Sequence, residues 1–148
     1  MNLSHRVRTS ASPAQVWRLL GDPGRWPEFD LFLQQVRGSS GRVSTGDHLL
    51  GIGRIVPVRI PVDVVEAVPE SRLVLRVHVA PGVVEEVTHV LTPAVRGGCS
   101  VAVSVVVDGL FARPAVLPLW LARGLTARVL AYRVELLART ADGAAGAA

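Results

Sequence analysis

From about Gln35 to Gly109 the apolar residues of this 148-residue chain return at every second position, and directly after that block the spacing becomes helical. Such alternation gives strands with one buried and one wet face. Six strands are predicted, near 34–38, 47–56, 58–67, 72–79, 83–93 and 99–108. The breaks carry turn chemistry: Gly38-Ser39-Ser40-Gly41, Pro69-Glu70-Ser71, Pro81-Gly82 and Arg96-Gly97-Gly98. Connections this short join antiparallel neighbours, so the block reads as a meander. Pro57 and Pro61 predict an edge or a bulge, because proline cannot donate to a ladder.

Residues 2–9 alternate as well, with Leu3, His5 and Val7 on one face, and predict a further half-buried strand. Ser12-Pro13 then opens a helix, with serine as cap and proline in the first turn. That helix carries Val16, Trp17 and Leu20 on one side and stops at Gly21-Asp22-Pro23. A second short helix is expected near Pro27 to Leu33.

A long helix is predicted from Arg113 or Pro118 to Arg139. At 100° per residue, Arg128, Tyr132, Glu135 and Arg139 form its solvent face. Trp120, Ala127, Leu130, Val134 and Leu137 fall opposite. The apolar sector is too wide for a simple stripe, so something curved must nearly enclose the helix. A twisted antiparallel sheet can do that. Small residues on one flank (Gly124, Ala127, Ala131, Ala138) fit two arrangements: close approach to the sheet, or an open pocket. The organisation is one domain over 1–140, with a small-residue flexible tail over 141–148.

The length suits one domain able to bury a core without disulfides or metals. Hydrophobic residues make up 49% and aromatics only 5%, so any cavity would have mainly aliphatic walls. The lone cysteine, Cys99, sits in a strand pattern and reads as a buried, inert thiol. The net charge is +4, and every basic residue is arginine. The arginines are scattered with no basic run, whereas nucleic-acid binders concentrate charge on one face and add stacking aromatics, which argues against nucleic acid as a partner. The composition resembles that of GC-rich bacterial genomes. No apolar run reaches the roughly 18 residues of a membrane span, and no secretion signal is visible, so a soluble cytoplasmic protein without stable membrane insertion is expected. No metal, phosphate-loop or nucleophile-elbow motif appears, and no cofactor is expected. Gly51-Ile52-Gly53 lacks the third glycine of a dinucleotide loop.

The segment Ala11-Ser12-Pro13-Ala14-Gln15-Val16-Trp17-Arg18-Leu19-Leu20-Gly21-Asp22, followed by Arg25-Trp26-Pro27-Glu28-Phe29, resembles the SRPBCC or START-like helix-grip superfamily. That group includes START-type lipid-transfer domains, plant pathogenesis-related allergens and bacterial polyketide cyclases. Leu91-Thr92-Pro93 with Gly98-Cys99 resembles the superfamily's later strand–turn–strand, with Cys99 where threonine is usual. The resemblance is close over about the first 30 residues and topological over the rest. It implies an α+β helix-grip fold: a seven-stranded curved antiparallel sheet wrapped around a long C-terminal helix, with two short helices after strand 1. It also implies a ligand cavity between sheet and helix.

On strand 72–79, Leu73, Leu75 and Val77 share the apolar face and are expected to line core or cavity. On strand 83–93, Val87, His89 and Leu91 share one parity, and the resemblance turns that parity inward. His89 is then a candidate hydrogen-bonding or acid–base group, unless the parity is inverted or a neighbour satisfies it. Arg123 lies nearly in line with Leu130 and Leu137 and points to the sheet. It either anchors a ligand carboxylate or phosphate, or it snorkels to water or pairs with an acid such as Glu85. Ala127 and Leu130 on the helix complete the expected wall, and the resemblance implies that the short second helix, with Trp26, Phe29 and Phe32, gates it. Trp17 and Trp120 read as packing residues. Asp63, Glu66 and Asp108 show no partner in the sequence.

The expected function is binding or transport of a hydrophobic small molecule by a monomer or homodimer. The alternative is a polyketide cyclase or dehydratase using His89 and Arg123 as its polar groups. A third reading is a partner-binding domain with a vestigial pocket.

Overall fold

The computed structural model describes residues 2–146, with side chains as far as residue 141. Seven strands form one antiparallel sheet: β1 (Asn2–Thr9), β2 (Leu33–Arg37), β3 (His48–Gly53), β4 (Arg59–Val68), β5 (Arg72–Ala80), β6 (Val83–Pro93) and β7 (Cys99–Asp108). Their spatial order is β1-β7-β6-β5-β4-β3-β2. The meander from β2 to β7 places consecutive strands side by side, and β1 closes onto β7 in register from Asn2↔Val106 to Thr9↔Cys99. This is the curved sheet and long helix of the helix-grip fold, and it matches the strands read from alternation closely.

The chain crosses from β1 at one edge to β2 at the other through α1 (Pro13–Leu20) and a 3-10 helix, η1 (Pro23–Glu28). Ser12 caps α1 reciprocally: its hydroxyl accepts from the Gln15 N–H, and the Gln15 side chain accepts from the Ser12 N–H. The second short helix therefore starts and ends earlier than the expected Pro27–Leu33. Asp22 accepts from the Gly24 N–H, and Pro23 sits in the first turn, so the helical signal begins there. Phe32 lies in the turn that follows, not on a helix.

Pro61 lies in an interior strand, yet it disrupts no pairing with β5, because that ladder begins one residue later at Val62↔Val77. The bulge falls instead between Val64 and Glu66. Pro57 belongs to the β3–β4 connection. Gly53 is required there: a Cβ on it would meet the Val56 carbonyl oxygen at 2.2 Å. Asp63 and Glu66 do have partners. His48 Nδ1 and His78 Nε2 donate to the two Asp63 oxygens at 2.7 and 3.0 Å, and Arg72 donates to Glu66 at 3.1 Å. Those bonds, His48 first, hold the Asp63 carboxyl below its ordinary range.

The inner face of the sheet follows the pleat. Cys99, Val101, Val103, Val105 and Val107 of β7 are all buried, as are Val83, Glu85, Val87, His89 and Leu91 of β6. The Cys99 thiol is pushed up by burial, which makes it a poor nucleophile. Helix α2 (Ala112–Gly146) lies across this face, against β1 and β7, and α1 packs on both α2 and β6. Each fully buried leucine or valine contributes roughly 1.5–3 kcal/mol.

With 35 residues, α2 is roughly 50 Å long, whereas a ten-residue strand spans roughly 33 Å. The helix outruns the sheet at its C-terminal end. Leu137, expected on the enclosed side, is consequently 44% exposed. The helix also starts at Ala112, before the expected Arg113, and continues through part of the stretch read as a tail. Glu135 is only half exposed, because its Oε1 accepts from the Ser10 N–H at 3.2 Å.

The small-residue flank of α2 resolves toward close packing. A Cβ on Gly124 would meet the His5 ring at 2.5 Å. His5 stacks on Trp120 with ring centroids 4.4 Å apart, and its Nε2 donates to the Trp120 carbonyl at 2.8 Å. The open space lies on another side of the helix.

A candidate ligand cavity between sheet and helix

A cavity of about 770 Å³ lies between the N-terminal half of α2 and the strands β4 to β6. The sheet supplies Ile60, Val62, Leu75, Val77, Val79, Ala80, Val83 and His89. The helix supplies Ala115, Pro118, Leu119, Leu121, Ala122, Arg123, Leu125 and Thr126. Leu20, Trp26, Phe29, Asp30, Phe32 and Leu33 close one end. The wall is aliphatic with aromatic groups confined to that end, as a low-aromatic sequence requires. Phe32, Leu121 and Leu125 line the cavity and are also 41%, 56% and 44% exposed, which puts them at its opening.

Of the residues expected to form the site, Trp26, Phe29, Phe32, Leu75, Val77, His89 and Arg123 border this space. Leu73, Val87, Leu91, Ala127 and Leu130 do not; they are buried in the continuous core instead. There α1 packs on β6 and α2, and Val16, Leu19 and Leu20 share a core cluster with them. The end of α1 meets the cavity at Leu20. Trp26 is wall more than gate, since it is 5% exposed and its Nε1 donates to the Leu20 carbonyl at 2.9 Å. Phe29 is equally enclosed at 4% exposure, so of the three expected gate residues only Phe32 reaches solvent.

The polar groups of the wall are few. His89 faces inward and is 7% exposed, and its Nδ1 has no hydrogen-bond partner among the described residues. Burial, reinforced by the nearby Arg123 cation, lowers its pKa to about 3, so the ring is neutral at physiological pH. A neutral imidazole offers one donor and one acceptor.

Arg123 is not a free anchor. Its Nε and Nη2 donate to Glu85 Oε1 at 3.1 and 2.6 Å, and its Nη1 donates to Asp30 Oδ2 at 3.2 Å. Glu85 is fully buried, and Asp30 is 6% exposed. Burial alone would lower the Arg123 pKa, but the two acids outweigh it and keep the guanidinium charged. Of the two arrangements open for this arginine, the pairing with Glu85 is the one present. Asp30 was not foreseen. Its signal is a single charge inside the apolar run Phe29 to Leu33, where a carboxylate needs a partner. It has two: Arg123, and the Phe32 N–H, which donates to Asp30 Oδ1 at 3.0 Å. Asp30 thus fixes the turn that carries Phe32 to the side of the cavity.

Comparison with known proteins adds to this geometry. The family model described as "Polyketide cyclase / dehydrase and lipid transport" matches residues 2–142. Protein MLL2253 from Mesorhizobium loti has a similar structure, with a TM-score of 0.74 at 19% identity, covering 95% of this chain and 98% of that one. A START superfamily protein from Mycobacterium smegmatis superposes with a TM-score of 0.71 at 17% identity, covering 92% and 98%. A putative protein of the dynemicin biosynthetic locus, DynU16, has a TM-score of 0.64 at 21% identity, covering 90% of this chain and 47% of that chain. At these identities the likenesses establish the fold. No curated protein matches the sequence.

Proposed function

The chain belongs to the polyketide cyclase / dehydrase and lipid transport family, and from that premise we propose that it binds or carries a hydrophobic small molecule in the cavity between β4–β6 and α2. One observation carries the reading: about 770 Å³ of space with aliphatic walls inside a small domain. Pockets that enclose small organic ligands typically span about 300–1,000 Å³ and add a few polar groups to apolar walls. A packed interior leaves few voids larger than a water molecule, so a volume of this size is a feature and not a packing flaw. Trp26, Phe29, Leu75 and Val77 are the proposed apolar contacts, with His89 as the polar one.

Native mass spectrometry of the protein purified from its own host tests this. The expected spectrum carries an added mass of a few hundred daltons, removed by organic extraction. Protein that is bare from its host, and stays bare with medium-chain and long-chain lipids or aromatic polyketides, would contradict the reading.

A second reading, a cyclase or dehydratase acting in the same cavity, is favoured by the neutral His89 ring on the wall. The ring can hydrogen-bond a reacting carbonyl or hydroxyl, although a pKa of about 3 leaves it a weak base for a carbon acid. Loss of product formation in His89→Ala, with ligand binding retained, is the outcome this reading requires.

A further inference from the structure

We propose that this cavity selects ligands whose polar end donates hydrogen bonds, a hydroxyl or an amine, and discriminates against free carboxylates. The inference rests on the ligand-binding reading above and names the chemical class that the same site would take.

The argument starts from the charges at the polar end of the cavity. One guanidinium, Arg123, meets two carboxylates, Glu85 and Asp30, within 3.2 Å. All three guanidinium nitrogens already donate to those acids. Three of its five N–H groups are engaged by these acids, and a ligand carboxylate drawn to the other two would join a cation already outnumbered by two carboxylates. It would also bring a third negative charge to a site sheltered from solvent, where like charges repel strongly.

The acceptors at this end of the cavity point the other way. Glu85 Oε2 is buried and, among the described residues, accepts no hydrogen bond. It is an acceptor only, and because Glu85 is not on the cavity wall it bears on a ligand through its charge and not as a contact. His89 Nδ1 is buried and unpartnered too, and as a neutral ring His89 accepts at one nitrogen. Asp30 and His89 border the cavity itself, and Arg123 ties Glu85 to that border. An arginine read in isolation predicts an acid-binding pocket; with its two partners in place, the preference reverses.

The test uses ligands that differ only in the head group: decanol, decylamine and decanoate, each displacing the neutral dye Nile red from the full chain at pH 8. Decanol and decylamine are expected to displace the dye at concentrations at least about tenfold below decanoate. Glu85→Gln, which removes one negative charge, is expected to narrow the gap at least about threefold by strengthening decanoate. If Glu85→Gln fails to fold by circular dichroism, Asp30→Asn removes a charge at a less buried position and carries the same expectation. Nile red bound and released equally well by decanoate overturns the selectivity while leaving the cavity reading intact. Unchanged discrimination in a folded variant overturns the electrostatic cause. A wild-type protein that takes up no Nile red and none of the three ligands overturns the cavity reading and this inference with it.

Discussion

Replacing Arg123 by methionine keeps the aliphatic stem against the cavity wall but leaves two acids without their cation. The side chains involved are sheltered: Arg123 is 19% exposed, Asp30 9% and Glu85 0%. Asp30 would retain the bond from the Phe32 N–H, whereas Glu85 would lose both of its charge-assisted contacts. Removing one partner from a buried ion pair typically costs about 3–5 kcal/mol, because a charge remains in a medium that solvates it poorly. For a domain of this size 1 kcal/mol moves the melting temperature by roughly 2–4 °C, so Arg123→Met is expected to melt at least about 6 °C lower. Urea titration at pH 7, followed by far-ultraviolet circular dichroism, measures the loss as a fall in midpoint at constant slope. The double variant Arg123→Met with Glu85→Leu is the control that gives the loss its cause. It removes the stranded carboxylate and is expected to recover at least about half of the stability. A single variant within about 1 kcal/mol of wild type would refute the burial of the pair. A double variant no better than the single would show that the stranded acid is not the source.

Three further outcomes follow from the same structure. His89 stays neutral in the fold down to about pH 3, whereas its unfolded form takes up a proton near 6.5; the unfolded state therefore binds more protons in that window, stability is full above about pH 6.5 and falls toward pH 3, and His89→Leu should flatten the urea midpoint against pH over that range. Gly124→Ala should destabilise by about 1–3 kcal/mol through collision with the His5 ring, and the same change in a His5→Ala background should be neutral or stabilising by up to about 1 kcal/mol, read as a double-mutant cycle of melting temperatures. Val77→Trp should fill part of the cavity and weaken Nile red uptake at least about fivefold, whereas Leu137→Gln, on the overhanging end of α2, should leave uptake unchanged.

The strands were legible because their signal is local. Alternation and turn residues lie within ten positions of each other, and β6 and β7 have the boundaries the pattern sets. The parity that buries His89 was open in the pattern alone, since both faces of β6 carry valines, and only the family resemblance turned it inward. Which inward residues border space and which border packing was not available. Leu73 and Leu75 lie on the same face of β5 and in the same core cluster, yet only Leu75 also borders the cavity. The Asp30–Arg123 pair was hidden for a similar reason: 93 residues separate its members, and no spacing rule links the turn before β2 to the middle of α2. The overhang of α2 follows from comparing two lengths, helix and sheet. A helical wheel, which has no axis of length, cannot register it.

The central claim is that a ligand lies between the sheet and the N-terminal half of α2. Methyl-labelled NMR titration with decanol tests it residue by residue. The account predicts shifts at Leu75, Val77, Leu119 and Leu125, with Leu73, Val87 and Leu130 much less affected. Shifts confined to Leu136 and Leu137 on the overhanging end of the helix, or no saturable shift at the lining methyls, would contradict it.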